Sequence, residues 1–137
     1  MKLCQQIKAT SRILFIVLSS GTAIAQAGEI ATSYIEVPAG YDAVCRVANL
    51  SKTAEDIEFR INDMFDGIRD VQTDRVQADS GKQLIRTPFP GSVNVETLQC
   101  TVTAPGNSAN WRVSFCLEAP RTNEDPVGTP ILCVEGS

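Results

Sequence analysis

The chain has 137 residues, a formal net charge of −4 and 20% charged residues, which fits one acidic domain. This acidic balance argues against nucleic acid and anionic membranes as partners. Histidine is absent, which removes the base of a serine triad and the commonest metal ligand. The composition therefore indicates a protein that is not an enzyme and that carries no cofactor or metal.

The first residues have the pattern of a secretory signal peptide. Three basic residues precede an apolar stretch from Ile13 to Ala25, and no acidic residue occurs before Glu29. Four small or polar residues interrupt the stretch, so it falls short of the run of about 20 apolar residues that a membrane anchor needs. Small residues before a cut after Ala27 satisfy the cleavage site. We predict a signal peptide over residues 1–27, with a cut after Ala25 as the alternative.

Cleavage would leave one domain, residues 28–137, of 110 residues. Loss of the three basic residues would change the net charge from −4 to −7. Cys4 would leave with the signal, and an even number of cysteines would remain: Cys45, Cys100, Cys116 and Cys133. Four cysteines in an exported chain predict two disulfides formed in an oxidising compartment.

The domain begins with short apolar runs between turn residues, the pattern of an antiparallel sandwich. The first three runs are Tyr34–Val37, Ala43–Asn49 and Ile57–Asn62. The second and third alternate with period two, which is typical of strands with one buried face. Folded back as a hairpin, they would place Val47 opposite Phe59 and, in the same register, Cys45 opposite Ile61.

The middle of the chain is less regular. Asp66-Gly67 and Asp79–Gly81 read as turns, and residues 68–77 between them contain few apolar side chains. We expect irregular structure or an edge strand there, with a weakly patterned helix as the alternative. Gln83–Arg86 is a short strand, stopped by Pro88–Gly91.

The last third alternates most clearly. Leu98–Thr103 and Asn110–Leu117 flank a loop rich in turn residues, which predicts a hairpin. The paired residues would be Val102 with Trp111, Cys100 with Val113, and Leu98 with Phe115. All six would face the core, and Cys116 would point the opposite way.

The predicted direction of each cysteine side chain selects one of the three disulfide pairings that four cysteines allow. Cys45 and Cys100 lie on inner faces, so we expect a bridge through the core. Cys116 needs an outward-facing partner. Folding Ile131–Val134 back against the preceding strand places Cys133 directly opposite Cys116, and this predicts the second bridge.

Acidic residues are the remaining candidates for chemistry. The densest group is Asp63, Asp66, Asp70 and Asp74. Carboxylates alone support glycosidase chemistry, and such an enzyme is the third alternative. Acids at this density are more typical of a solvated edge, which is the interpretation we favour.

Two segments are candidates for contact with a partner. Arg86–Gly91 carries two prolines that stiffen a loop around Phe89, and Arg121–Pro130 is a long connection between two cysteines. We expect Arg86 and Phe89 to form the contact loop, although both segments also read as plain connections between strands.

The runs Cys45–Ser51 and Ile57–Asp63, with the later Cys100-Thr101-Val102, resemble small exported bacterial β-sandwich proteins of uncharacterised function. This resemblance implies an immunoglobulin-like fold of about seven to eight strands and a secreted or periplasmic location. We expect a monomeric domain that binds an unknown protein or glycan through its loops, or serves a structural role. A small inhibitor of an exported hydrolase is the main alternative.

Overall fold

A computed structural model describes residues 27–88, 95–122 and 128–137. They form nine strands: β1 (Gly28–Ala31), β2 (Ile35–Val37), β3 (Asp42–Asn49), β4 (Glu55–Asp63), β5 (Gly67–Val76), β6 (Ser80–Arg86), β7 (Glu96–Ala104), β8 (Trp111–Glu118) and β9 (Pro130–Glu135). A single 3-10 turn, Ser108–Asn110, precedes β8. The predicted signal peptide lies almost entirely outside the described residues.

The nine strands form two antiparallel sheets. The five-stranded sheet has the order β1–β7–β4–β5, with β2 also paired to β7, and the four-stranded sheet has the order β6–β3–β8–β9. The predicted all-β sandwich is confirmed, with nine strands in place of seven to eight. β3 pairs with β6 and β8, β4 pairs with β5 and β7, and a disulfide joins β3 to β7. The pairing of β8 with β3, and not with β7, departs from the strand order of an immunoglobulin domain.

The predicted hairpin of β3 with β4 is wrong. Val47 lies opposite Lys82 of β6 and Val113 of β8, while Phe59 lies opposite Gln72 and Val102. Residues 50–54 cross from one sheet to the other, so β3 and β4 face each other across the core. The alternation correctly identified the inward faces, because an inward face looks the same whichever strand lies beside it.

The predicted hairpin of β7 with β8 is wrong for the same reason. Cys100 pairs with Ile61 of β4, and Val113 pairs with Val47 of β3. Residues 105–110, which include the 3-10 turn, carry the chain between the sheets. All six side chains expected in this hairpin are nonetheless buried, with exposures of 6% or less.

The core lies between the sheets and is closed by a disulfide. Cys45 and Cys100 are both fully buried and bonded, with their Cα atoms 5.7 Å apart. The bridge joins β3 of one sheet to β7 of the other, as predicted. Phe59 and Phe115 are the largest side chains completely enclosed beside it.

The hairpin of β8 with β9 is confirmed residue by residue. Cys116 lies opposite Cys133, and Leu117 lies opposite Leu132. The two cysteines are bonded on the outer face of the four-stranded sheet, with Cα atoms 4.1 Å apart. Both predicted disulfides are therefore present.

The middle segment is an edge strand, one of the two structures expected for it. β5 pairs with β4 through a hairpin whose turn ends at Gly67, and its residues are mostly exposed. Gly67 has a φ of +77°, a conformation that favours glycine. Within the described part of the chain, no helix is long and apolar enough to cross a membrane.

Candidate functional site

Several connections gather at one end of the sandwich, which we call the loop end. There β2 leads into β3, β4 turns into β5, β6 leads towards β7, and β8 leads towards β9. The backbone N–H of Met64 donates to the carbonyl of Thr97 at 2.9 Å, which ties the β4–β5 turn to the start of β7. Both segments proposed from the sequence as contact loops also start from this end.

The β4–β5 turn is held rigid by Asp63. Its Oδ1 accepts the backbone N–H groups of Phe65 at 2.8 Å and of Asp66 at 3.1 Å. Arg69 binds the Asp66 carboxylate and lies 3.7 Å from Oδ2 of Asp63. The turn conformation is therefore held by contacts within the chain.

Electrostatics at this turn favour the ionised carboxylate. Burial of Asp63 raises its pKa, but the hydrogen bonds from Phe65 and Asp66 and the charge of Arg69 outweigh burial, and the pKa lies below its ordinary value. Asp63 therefore remains an acceptor in neutral solution.

Phe65 is the most exposed large apolar side chain among the described residues, at 81%. Three others at the loop end are more than half exposed: Met64, Ile68 and Val95. A single exposed apolar residue needs no explanation. Four at one end of a small domain are typical of an interaction surface. The only sequence signal for this exposed apolar group was a short turn, which starts at Asp63, ends at Gly67 and contains two apolar residues.

The predicted contact residue Arg86 is engaged within the protein. It binds Glu96 through Nε and Nη2 at 2.8 and 2.9 Å, and Asp70 through Nη1 at 3.1 Å. The hydrogen bonds to Glu96 are the main reason that its pKa is raised. Arg86 thus holds the base of its loop in place. Phe89 lies outside the described residues, so a contact role for this loop stays a prediction.

Two buried carboxylates lie at the same end of the sandwich, where β3 begins and β8 ends. Asp42 accepts the hydroxyl of Thr87 at 2.5 Å and lies 3.4 Å from Nε of Arg121. Its cross-strand neighbour Glu118 is fully buried and binds Arg46 through Oε1. Each acid therefore forms an ion pair with an arginine, and we interpret the two ion pairs as structural. The sequence did not indicate these two ion pairs, because the register of β3 with β8 was unknown.

The acidic group proposed from the sequence is distributed along the β4–β5 hairpin. Asp63 and Asp66 bind Arg69, Asp70 binds Arg86, and Asp74 lies 3.3 Å from Nζ of Lys82. Among the described residues, no cluster of three or more potential metal ligands occurs. Each member therefore has a basic partner on or beside the edge strand.

A second surface feature is an open groove of about 1010 Å³ on the outer face of the four-stranded sheet. Small residues form its floor, because Gly81 of β6 lies opposite Ala48 of β3. Longer polar side chains surround them, including Gln83, Arg112 and Glu135. Such a groove can exchange hydrogen bonds with a polar ligand.

The chain matches no protein-family model and no curated protein sequence. It is similar in structure to the crystal structure of Thermotoga maritima 1070, with a TM-score of 0.53 and 10% sequence identity. The match covers 81% of this chain and 93% of that chain. At this identity the likeness shows a shared fold.

Proposed function

We propose that the protein is an exported, non-enzymatic binding domain that docks on a partner protein through the loop end, with Phe65 as its anchor. The observation that carries the proposal is an 81% exposed phenylalanine on a turn held by Asp63. Aromatic side chains are enriched in protein interfaces and dominate their energetics.

The rigidity of the turn favours tight binding. A partner would not have to order the residues around Phe65, because Asp63 and Arg69 already hold them. Burial of one phenylalanine contributes roughly 1.5–3 kcal/mol, about ten- to a hundredfold in affinity. The partner surface is accordingly an apolar pocket that can enclose one aromatic ring.

Export, in a bacterium, is part of the same proposal. It is supported by the basic and apolar pattern of residues 1–27 and by two disulfides, which persist in oxidising compartments. The intact mass of protein from the envelope or medium should correspond to a chain that starts at Gly28, or at Gln26. Full-length protein recovered from the cytoplasm would contradict export.

The docking proposal is tested with immobilised mature protein and two matched variants. Phe65→Ser removes the anchor, and Val71→Ser removes an exposed apolar residue from the middle of β5 (54% exposed). We expect a partner protein retained by the wild type and by Val71→Ser, with at least a tenfold weaker affinity for Phe65→Ser. Equal retention by Phe65→Ser would refute the anchor. If the retained protein is a hydrolase and its activity falls on binding, the domain is an inhibitor.

A glycan ligand in the groove is the second candidate. In the described part of the chain, Gln83 and Arg112 make no side-chain hydrogen bond and no ion pair, so their donors are free. Titration with envelope oligosaccharides, followed by NMR, should move the amide signals around Arg112. Arg112→Ala should abolish the shifts and Arg75→Ala, on the other sheet, should not.

A further inference from the structure

The sandwich has four edges, and three of them carry the features that prevent strands from pairing with other molecules. β1 and β2 are only four and three residues long. β5 and β6 carry charged side chains along their length: Arg69, Asp70, Asp74 and Arg75 on β5, and Lys82 and Arg86 on β6. Short strands and edge charges are how soluble proteins block edge-to-edge association.

β9 differs from the other edges. Its sequence is Pro-Ile-Leu-Cys-Val-Glu, and the only charge is at its last residue. Ile131 and Leu132 are 57% and 49% exposed. An extra residue interrupts the pairing with β8 at Ile131, so the stretch Leu132–Glu135 remains regular and open.

The register shows which backbone groups face outwards. Cys116 and Cys133 are directly opposite with Cα atoms 4.1 Å apart, the spacing of a non-hydrogen-bonded pair in an antiparallel ladder. The N–H and C=O of Cys133 therefore point away from β8, and those of Glu135, two residues on, point the same way. In the described chain no other strand pairs with this side of β9.

We propose that β9 pairs antiparallel with β9 of a second copy of this chain, which joins the two four-stranded sheets into one sheet of eight strands. Centred on Cys133, this pairing sets Leu132 beside Val134 of the second copy. Both residues lie on the inner face, where Val134 already packs against the core. The apolar row of each core would thus continue into the other.

The single charge of β9, on Glu135, is compatible with a second copy in this orientation. A two-fold interface requires a patch that is complementary to itself. Antiparallel pairing places Glu135 opposite Ile131 of the second copy, so the two carboxylates lie at opposite ends of the interface. The sequence led us to expect a monomer because its strands are short and charged, and β9 is the strand to which that argument does not apply.

Sedimentation velocity across a wide range of protein concentration tests the proposal. We expect reversible dimerisation of the wild type, with slower hydrogen exchange of the Cys133 and Glu135 amides at high concentration. Phe65→Ser should dimerise equally well, which separates this surface from the loop end.

Two substitutions at one exposed position test the register. Ile131→Lys would create two opposite-charge pairs with Glu135 across the interface, and Ile131→Glu would create two like-charge pairs. We expect the dissociation constant to fall by about two- to thirtyfold for Ile131→Lys and to rise by a similar factor for Ile131→Glu. Val71→Lys, on the β5 edge, is the matched control and should leave the dissociation constant unchanged.

Three outcomes would overturn the proposal. They are a protein that stays monomeric at every concentration, a dimer that responds alike to both Ile131 variants, and a dimer in which the two amides exchange at an unchanged rate. Protection of these amides only after a different protein is added, with the chain still monomeric, would assign the edge to that protein's strand.

Discussion

Arg86 and Glu96 form a two-pronged ion pair between the two sheets, with N–O distances of 2.8 and 2.9 Å. Arg86 ends β6 of the four-stranded sheet, and Glu96 begins β7 of the five-stranded sheet. A third nitrogen of Arg86 reaches Asp70 on β5. One side chain thus connects three strands, and both sheets, at the loop end.

Replacement of Arg86 by methionine should destabilise the protein by about 1–3 kcal/mol, because hydrogen bonds to two carboxylates are lost and Glu96 is mostly buried. Urea denaturation measures the change. Arg75→Met is the control, since its ion pair with Asp56 is exposed on both sides and should contribute less than about 1 kcal/mol. Equal urea midpoints for the two variants would show that the ion pairs of Arg86 contribute no more to stability than the exposed pair of Arg75.

The Asp63 turn should loosen in acid. The pKa of Asp63 is lower in the folded protein than its ordinary value of 3.8, so its ionised form stabilises the fold above that value. That stability is lost as the pH falls through the folded pKa. Below about pH 4, NMR signals of Phe65 and Asp66 should therefore shift together.

Asp63→Asn should show little of this pH dependence and should be less stable at neutral pH, where the charged acceptor is missing. Asp79→Asn is the control, because Asp79 lies at the opposite end of the sandwich. A Phe65 signal that responds to acid equally in Asp63→Asn would assign the transition to another group.

The two disulfides should differ in their contribution to stability. They close loops with separations of 55 and 17 residues, which corresponds to about 4 and about 3 kcal/mol on the chain-entropy model. Replacement of both Cys45 and Cys100 by alanine also leaves a cavity, since both are fully buried. Urea midpoints should therefore fall further for this variant than for the paired replacement of Cys116 and Cys133.

The accessibility of the two disulfides to a reductant should follow the opposite order. Cys133 is exposed, whereas Cys45 and Cys100 have no contact with solvent. Mild reduction followed by thiol alkylation and peptide mapping should label Cys116 and Cys133 first. Earlier labelling of the core pair would contradict the burial of that bridge.

Asn49 should be a sensitive position for folding. It is fully buried, and its amide nitrogen donates to the carbonyls of Thr53 at 2.8 Å and Val76 at 3.2 Å. Asn49→Ala should cost about 2–3 kcal/mol, because two hydrogen bonds are lost and the buried carbonyl of Val76 is left without its donor. Asn62→Ala is the milder control, with one hydrogen bond to Thr101 at 3.1 Å. Thermal unfolding of the two variants gives the comparison.

The facing of the strands could be read from the sequence, whereas most of their partners could not. Cys45 and Cys100 were assigned to the core because period-two alternation depends on burial alone. Which strand lies beside β3 depends on whether residues 50–54 turn back or cross to the other sheet, and no local residue type decides that. The β8–β9 hairpin was predictable because the outward Cys116 required an outward partner.

The candidate site was predictable only in part. The turn at Asp66-Gly67 follows from residue types, but the exposure of Phe65 depends on what else lies at the loop end. Arg86 looked like a free side chain in the sequence, since Asp70 and Glu96 become its neighbours only when two sheets are assembled. Exposure and ion pairing are tertiary properties.

The pairing of β3 with strands that are distant in the sequence has a consequence for the rate of folding. β3 spans Asp42–Asn49, yet its neighbours are β6, which starts at Ser80, and β8, which starts at Trp111. During synthesis from the N-terminus, β3 cannot pair along its whole length with both neighbouring strands until residue 118 has emerged. Proteins dominated by such non-local pairing fold in milliseconds to seconds. Among the described strands, β4 and β5 form the one long hairpin that is complete early in synthesis, so folding should wait for the last quarter of the chain.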